Sequence, residues 1–427
     1  MRNVLFIVYY FPPMGGSGVQ RPLKFAKYLR EFGWNPIILC PKPGVYHTFD
    51  ESLQQELDEL DLEVHRVEAG GIFQKAAGKQ AQKEVSVSDG IAKILRRISR
   101  LIYYPDNKKG WIKPALKKAL SIIEVKKIDL IFSTAPPFSN HILASRIKEM
   151  TGLPMVVDYR DSWTNNHFQT DIWDWQKSIL RNQERGVVAT ADRIICLDAF
   201  MRSELIASYP DIGERIQVLP HGFDPEDFDQ KKETSDFEYK EGALNFLYSG
   251  LFYEHNQPDI FFKAFHELFK VRPEMKDKVR LHFQGGLDLR IQKLAKELSI
   301  DDIIVDYGYV THKKAAQHLK EADVLWMISN FDRNLKQIKS GKLFEYLGTG
   351  KPILGLVHPS EATEVLLKYG AGFSAAPDNI GLISRVLETI YEQWESDNLP
   401  NAVEEYQHQH NRKNLTQELA QIFNVIS

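Results

Sequence analysis

Short apolar runs, each followed by a longer amphipathic segment, restrict the fold of this 427-residue chain more than any other feature. VLFIVYY (4–10), PIILC (36–40), IDLIFST (128–134), PMVVDY (154–159), RIICL (193–197) and IQVLP (216–220) read as buried strands. Segments between them, such as PLKFAKYLREFG (22–33) with Gly33 as a stop, read as helices. Strands apolar on both faces and alternating with helices require a parallel sheet covered on both sides. The pattern restarts after the polar, acid-rich stretch 223–243. ALNFLYSG (243–250), VRLHFQGG (279–286), IIVDYGYV (303–310), DVLWMIS (323–329) and PILGLV (352–357) follow. Two α/β halves are expected, 1–222 and 223–403, with a helix over 404–427 that packs back on the first half.

An apolar share of 43% and a charged share of 26% are those of a soluble globular chain. A formal net charge of −3 gives no general affinity for nucleic acid. Cys40 and Cys196 lie within apolar runs and read as core thiols in a reducing compartment, not as a disulfide. No run approaches the ~20 apolar residues of a membrane span. The opening MRNVLFIVYYFPP stops at two prolines without a small-residue cleavage site, so a first strand is expected rather than a signal peptide. A cytoplasmic protein follows from this.

One segment departs from the average. Residues 93–127 hold eleven Lys/Arg against Asp106 and Glu124, a local +9, interleaved with Tyr103, Tyr104 and Trp111. A solvated pair of surface helices explains this. So does a face that sits on an anionic membrane, at its inner surface, or that holds a polyanionic lipid-linked substrate. No base-reading motif accompanies the charge, which disfavours nucleic acid.

Two stretches carry candidate binding chemistry. FPPMGGSGVQRP (11–22) joins a strand to a helix, and Gly15, Gly16 and Gly18 permit close backbone approach. A helix amino end favours phosphate, and Arg21 and Lys24 would add charge. GGSG is neither GxGxxG nor a P-loop, so tight-turn geometry alone is the alternative. IKSGKLFEYLGTGKPILGL (338–356) crowds Lys339, Ser340, Lys342 and Glu345 around a helix start. There the lysines suit phosphates and the carboxylate suits ribose hydroxyls.

DYRDSW (158–163) places Asp158, Arg160 and Asp161 at a strand end. An Asp–Arg structural pair is one reading. The other gives Asp161 the task of orienting or deprotonating an acceptor hydroxyl. His221, in the PHG turn, reads as a hinge residue before a catalyst. No DxD at a strand end, HxH or CxxC is present, and Asp171 and Asp174 in DIWDW (171–175) lie in an aromatic segment unlike a ligand set. Neither metal nor cofactor is expected.

Taken in order, YYFPPMGGSGVQRPLKFAKYLREFGWNPIIL, DYRDSW, LPHGFD (219–224), YSGLF (248–252), YGYVTHKKAAQHLKEADVLWM (307–327) and SGKLFEYLGTGKPIL (340–354) resemble the GT-B glycosyltransferases. The resemblance is to the retaining, nucleotide-sugar-dependent enzymes of family 4, of the surface-polysaccharide type, and covers nearly the whole length. It implies two Rossmann-like domains facing a cleft, acceptor mainly in the first and donor mainly in the second. It further implies hexose transfer from a UDP- or GDP-sugar to a hydroxyl of a glycan or lipid-linked acceptor, with retention and without metal. Glu345 matches the second glutamate of the family's Glu-x7-Glu element and would bind ribose; the first falls at Gln337. Gly15 and Gly16 match backbone near the donor diphosphate, Ser249 and Gly250 belong to the donor side, and Val310 would face the base. The Arg and Lys that the family carries after the first strand of the second domain are missing from SGLFYEHNQPD. Lys342, Lys339 or Arg333 must then supply the cation, with Lys342 preferred. A sugar-nucleotide 2-epimerase or a non-catalytic scaffold on the same architecture are the alternatives.

Overall fold

The computed structural model describes residues 1–44, 49–69, 104–164, 173–229, 235–252, 256–329 and 341–427. Its chain divides into two units, Met1–Pro220 with Leu415–Ser427, and His221–Asn414.

The first unit is built on seven parallel strands: β1 (Arg2–Ile7), β2 (Trp34–Pro41), β3 (Glu63–Val67), β4 (Leu130–Ala135), β5 (Met155–Tyr159), β6 (Arg193–Cys196) and β7 (Ile216–Val218). Their order in the sheet is β3-β2-β1-β4-β5-β6-β7. Successive residues of a strand feed opposite faces. Leu5 and Ile7 join Ile131, Val157 and Ile194 in one core, closed by Ala115, Ala119, Leu143, Ile147 and Val187 from three helices. Val4 and Phe6 join Phe132 and Val156 in the other, closed by Leu23 and Ala26 of the helix Ser17–Leu29 and by Leu419 and Phe423 near the carboxyl end. Each Val, Leu, Ile or Phe side chain among these contributes roughly 1.5–3 kcal/mol by leaving water. The Phe423 ring lies 5.3 Å from Trp34 and 5.6 Å from Phe132. The carboxyl segment is two helices, Glu404–Gln409 and Arg412–Ile426, in place of the single helix expected. Only Leu415 onward clusters with the first unit.

The second unit repeats the plan with six parallel strands: β8 (Leu244–Ser249), β9 (Val279–Gln284), β10 (Ile304–Asp306), β11 (Val324–Ser329), β12 (Ile353–Val357) and β13 (Gly372–Ala375). Their order is β10-β9-β8-β11-β12-β13. Phe246, Tyr248, Phe261, Phe283 and Trp326 pack on one face, with Phe261 stacked on Trp326 at 3.8 Å. Leu247, Leu325, Leu343, Tyr346 and Ile353 fill the other.

In each sheet the strand order reverses beside its first strand, between β1 and β4 and between β8 and β11. Ligands of open α/β sheets bind outside the carboxyl ends of strands at such a reversal. In the first unit the glycine loop 11–16 leaves β1 at that point. In the second, Ser249 and Gly250 do so after β8. Cys40 and Cys196 lie buried in β2 and β6, and burial pushes both thiols up to about 12.

Candidate functional site

The carboxyl edge of the second sheet gathers the densest set of candidate residues. Gly250 donates its N–H to the Gln284 carbonyl at 2.6 Å, and Gly285 donates to Gly308 at 2.7 Å. Three strand ends are thus laced together by backbone alone. A Cβ on Gly285 would stand 2.5 Å from the carbonyl carbon and oxygen of Gly250, and Gly285 has φ +124°. Only glycine fits there.

The helix Gly341–Leu347 presses on this shelf. A Cβ on Gly250 would meet Lys342 Nζ at 2.5 Å, so the lysine's stem lies directly over the glycine. Its ammonium donates to the Tyr248 hydroxyl at 2.8 Å and lies 4.3 Å from that ring's centroid. Burial draws Lys342 down to about 8, against the opposing pull of Glu345 one helical turn on. Tyr346, fully buried, accepts the Ser249 N–H on its phenolic oxygen at 2.9 Å and fixes the helix to the end of β8. Lys342, Glu345, Ser249 and Gly250 therefore share one place. Val310 is half-buried just past Gly308 at the neighbouring strand end. His221 opens the unit, its ring 6.0 Å from Phe344. Lys339, Ser340, Gln337 and Arg333 lie outside the described residues.

The first unit separates the residues of DYRDSW. Asp158 is fully buried and bound by Arg21, which donates Nη2 at 2.8 Å and Nε at 3.1 Å. Burial would push its carboxyl up, but the Arg21 guanidinium and hydrogen bonds from Arg21 and Thr134 hold it below its ordinary value. Arg21 also donates to the Leu219 and Pro220 carbonyls at 2.9 and 2.7 Å. Arg160 donates to the carbonyls of Gly18, Pro136 and Ala135 at 2.6, 2.7 and 3.3 Å and ties the glycine loop to β4. Asp161 is exposed beyond the end of β5.

The expectation that Arg21 and Lys24 add phosphate-binding charge to the loop is corrected. Arg21 is turned inward on Asp158, and Lys24 is buried in an ion pair with Glu56 at 2.8 Å. Gly16, exposed, holds φ +98° and ψ 165° immediately before the helix, a conformation that glycine alone adopts readily. Gly15 precedes it, buried.

Tyr248, Tyr346, Gly285 and Gly308 were not singled out from the sequence. Their cue is weak: two tyrosines inside quoted motifs, and glycines ending two apolar runs.

Comparison with known proteins follows this geometry. The profile described as Glycosyltransferase Family 4 matches residues 19–227. A D-inositol 3-phosphate glycosyltransferase of Pseudarthrobacter chlorophenolicus is 25% identical over 151 residues, 34% of this chain and 36% of that protein. The match thus spans about a third of the curated relative's length. Among solved structures, a glycosyltransferase from Rickettsia africae superposes with a TM-score of 0.66 at 14% identity, covering 100% of this chain and 98% of that one. Anabaena HepE in complex with UDP gives 0.66 at 12% identity, with 100% of both chains covered. These likenesses establish the GT-B fold.

Proposed function

We propose glycosyl transfer for this chain, which is a GT-B protein of the glycosyltransferase family 4 type. The substrate is a nucleoside diphosphate hexose, with uracil or guanine as base. The acceptor is a hydroxyl of a glycan or a lipid-linked glycan, and the configuration at the anomeric carbon is retained. The observation that carries the reading is Lys342 with Glu345 beside the Ser249–Gly250 strand end, at the reversal of the second sheet. The structural neighbour HepE is solved in complex with UDP, which supports a nucleotide as the kind of ligand.

In this reading Lys342 holds the diphosphate, Glu345 accepts from the ribose hydroxyls and Val310 lies against the base. The bond from the sugar's anomeric carbon to the diphosphate oxygen breaks as the bond to the acceptor oxygen forms. Negative charge accumulates on the departing diphosphate, where a preplaced ammonium stabilises it more than in the ground state. No metal is required for that step. The acceptor proton passes to the diphosphate, and Asp161 is the residue of the first unit proposed to orient an acceptor hydroxyl. Within the first unit, the backbone of Gly15 and Gly16 suits close approach by a phosphate.

The test is a panel of labelled UDP- and GDP-hexoses incubated with glycan and lipid-linked acceptors, the product's anomeric configuration being read by NMR. A retained glycosidic bond supports the reading. Epimerised sugar nucleotide without an acceptor selects the 2-epimerase, and nucleotide binding without any turnover selects the scaffold.

A further inference from the structure

The basic segment 93–127 does not carry Trp111 at its surface: that residue is fully buried, its ring edge-on to Tyr9 at 5.5 Å, and residues 93–103 lie outside the described residues. The buried polar network that bears on the candidate site lies in the second unit. It holds two histidines, His282 on β9 and His318 on the helix His312–Glu321, both fully buried.

The partners of each ring fix how many protons it carries. His282 Nε2 meets Asn245 Oδ1 at 3.0 Å. That oxygen is an acceptor, since it also takes the Lys240 N–H while Asn245 Nδ2 donates to the Ala243 carbonyl. His282 Nδ1 meets the Tyr307 hydroxyl at 3.0 Å, and that oxygen already accepts the Glu238 N–H, so its own proton points at the ring. One acceptor and one donor suit a neutral imidazole with its proton on Nε2. Burial, and then the neighbouring His318, draw His282 down to about 4.

His318 differs. Its Nε2 meets Asp236 Oδ1 at 2.9 Å and its Nδ1 meets Gln284 Oε1 at 3.0 Å. The Gln284 amide is oriented by Nε2, which donates to the Ala315 carbonyl at 3.3 Å. Asp236 has no proton to offer, because hydrogen bonds from Lys314 and His318 hold its carboxyl down at about 2. Both ring nitrogens therefore face acceptors, and a ring protonated on both satisfies them. A buried ion is tolerated when it is paired and hydrogen-bonded in this way.

This ring joins the surface to the shelf. Asp236 is exposed, whereas Gln284 is buried at the carboxyl end of β9. The Gln284 carbonyl accepts the Gly250 N–H, and the next residue, Gly285, donates to Gly308. Lys342 overlies the same Gly250. We propose that His318, protonated on both ring nitrogens, is a positioning residue for the nucleotide: it clamps Gln284 to Asp236 and so fixes the Gly250–Gly285 shelf. This role rests on the nucleotide reading of the shelf, while the double protonation stands apart from it.

The experiment uses the full chain with isotope-labelled histidine. Long-range nitrogen–proton spectra at neutral pH should show both His318 nitrogens protonated and one bare nitrogen on His282, the signals being assigned with His318→Gln. Calorimetric titration of UDP and GDP gives the second readout. Asp236→Asn, whose amide can donate to Nε2, should return His318 to one proton and bind nucleotide within about threefold of the native chain. Asp236→Ala, a surface change that leaves thermal unfolding nearly unmoved, should bind about tenfold more weakly, the equivalent of one hydrogen bond to a charged group. Gln284→Leu should lose at least as much. A single proton on His318 in the native chain overturns the proposal. So does native-like affinity in both Asp236→Ala and Gln284→Leu, or an equal loss in Asp236→Asn and Asp236→Ala, which would credit the surface charge and not the clamp. Failure of the native chain to bind either nucleotide overturns the nucleotide reading itself, whereas native binding with unaffected variants overturns the His318 role alone.

Discussion

Lys342 spends its ammonium on Tyr248: the hydroxyl accepts at 2.8 Å and the ring centroid lies 4.3 Å away. Both residues stand at the Gly250 end of β8, which poises the cation beside the backbone that a diphosphate would approach. Lys342→Ala should therefore lower turnover by roughly 10²–10³-fold, the range seen when one preplaced charge stabiliser is lost. Thermal unfolding should move by only a few degrees. Steady-state kinetics beside a melting curve checks this, and near-normal turnover would remove Lys342 from the phosphate role.

The same lysine sets a pH dependence. Its value near 8 lies below that of a solvated lysine because burial disfavours the charge. Only the protonated form attracts phosphate, so donor affinity should fall as pH rises through about 8, and Lys342→Met should abolish that fall. For stability the sign is opposite. Between about 8 and the unfolded lysine value near 10.4 the unfolded chain holds more protons, so this group's contribution becomes more favourable as pH rises. Donor titrations from pH 7 to 9 in both forms read the first effect, as a pH series of unfolding midpoints reads the second.

Arg21 and Asp158 are 1% and 0% exposed and bonded at 2.8 Å. Asp158→Asn leaves a buried guanidinium without its counter-charge and should cost about 3–5 kcal/mol. Urea unfolding followed by a probe in the first unit should show the loss. A change within experimental error would mean that the Leu219 and Pro220 carbonyls suffice for Arg21.

Gly285→Ala confronts both a collision with Gly250 at 2.5 Å and a φ of +124°. Gly16→Ala confronts only φ +98°, since no atom lies within 4 Å of its added Cβ. The first should disrupt the shelf and nucleotide binding together. The second should cost about 1–3 kcal/mol of backbone strain at most and act mainly on donor kinetics. Intact donor kinetics in Gly16→Ala and in the bulkier Gly16→Val would make the opening loop a turn and nothing more.

Eleven strands were legible: nine are inner strands whose apolar runs are well buried in a covered sheet, while the edge strands β7 and β10, little buried, were found from the short runs IQVLP and IIVDY. The two missed, β3 and β13, are edge strands. EVHRV buries only Val67 well, and GFSA is four residues with little apolar content, so neither stands out as a run. Lys342, Glu345, Ser249 and Gly250 were legible as motif residues. The contacts that give them meaning were not, because Tyr248, Gly285, Gly308 and Lys342 meet only through strand order. Arg21 and Lys24 were misread for the converse reason. Their basic charge is local, but the carboxylates that neutralise it, Asp158 and Glu56, arrive from elsewhere in the chain.

The most direct test of the account is calorimetric titration of UDP and GDP into the native chain and into Lys342→Ala and Glu345→Ala. The account predicts that one of the two nucleotides binds the native chain and binds each variant at least about tenfold more weakly, a loss of ~1.4 kcal/mol or more. Failure of both nucleotides to bind, or equal affinity in all three proteins, would contradict it.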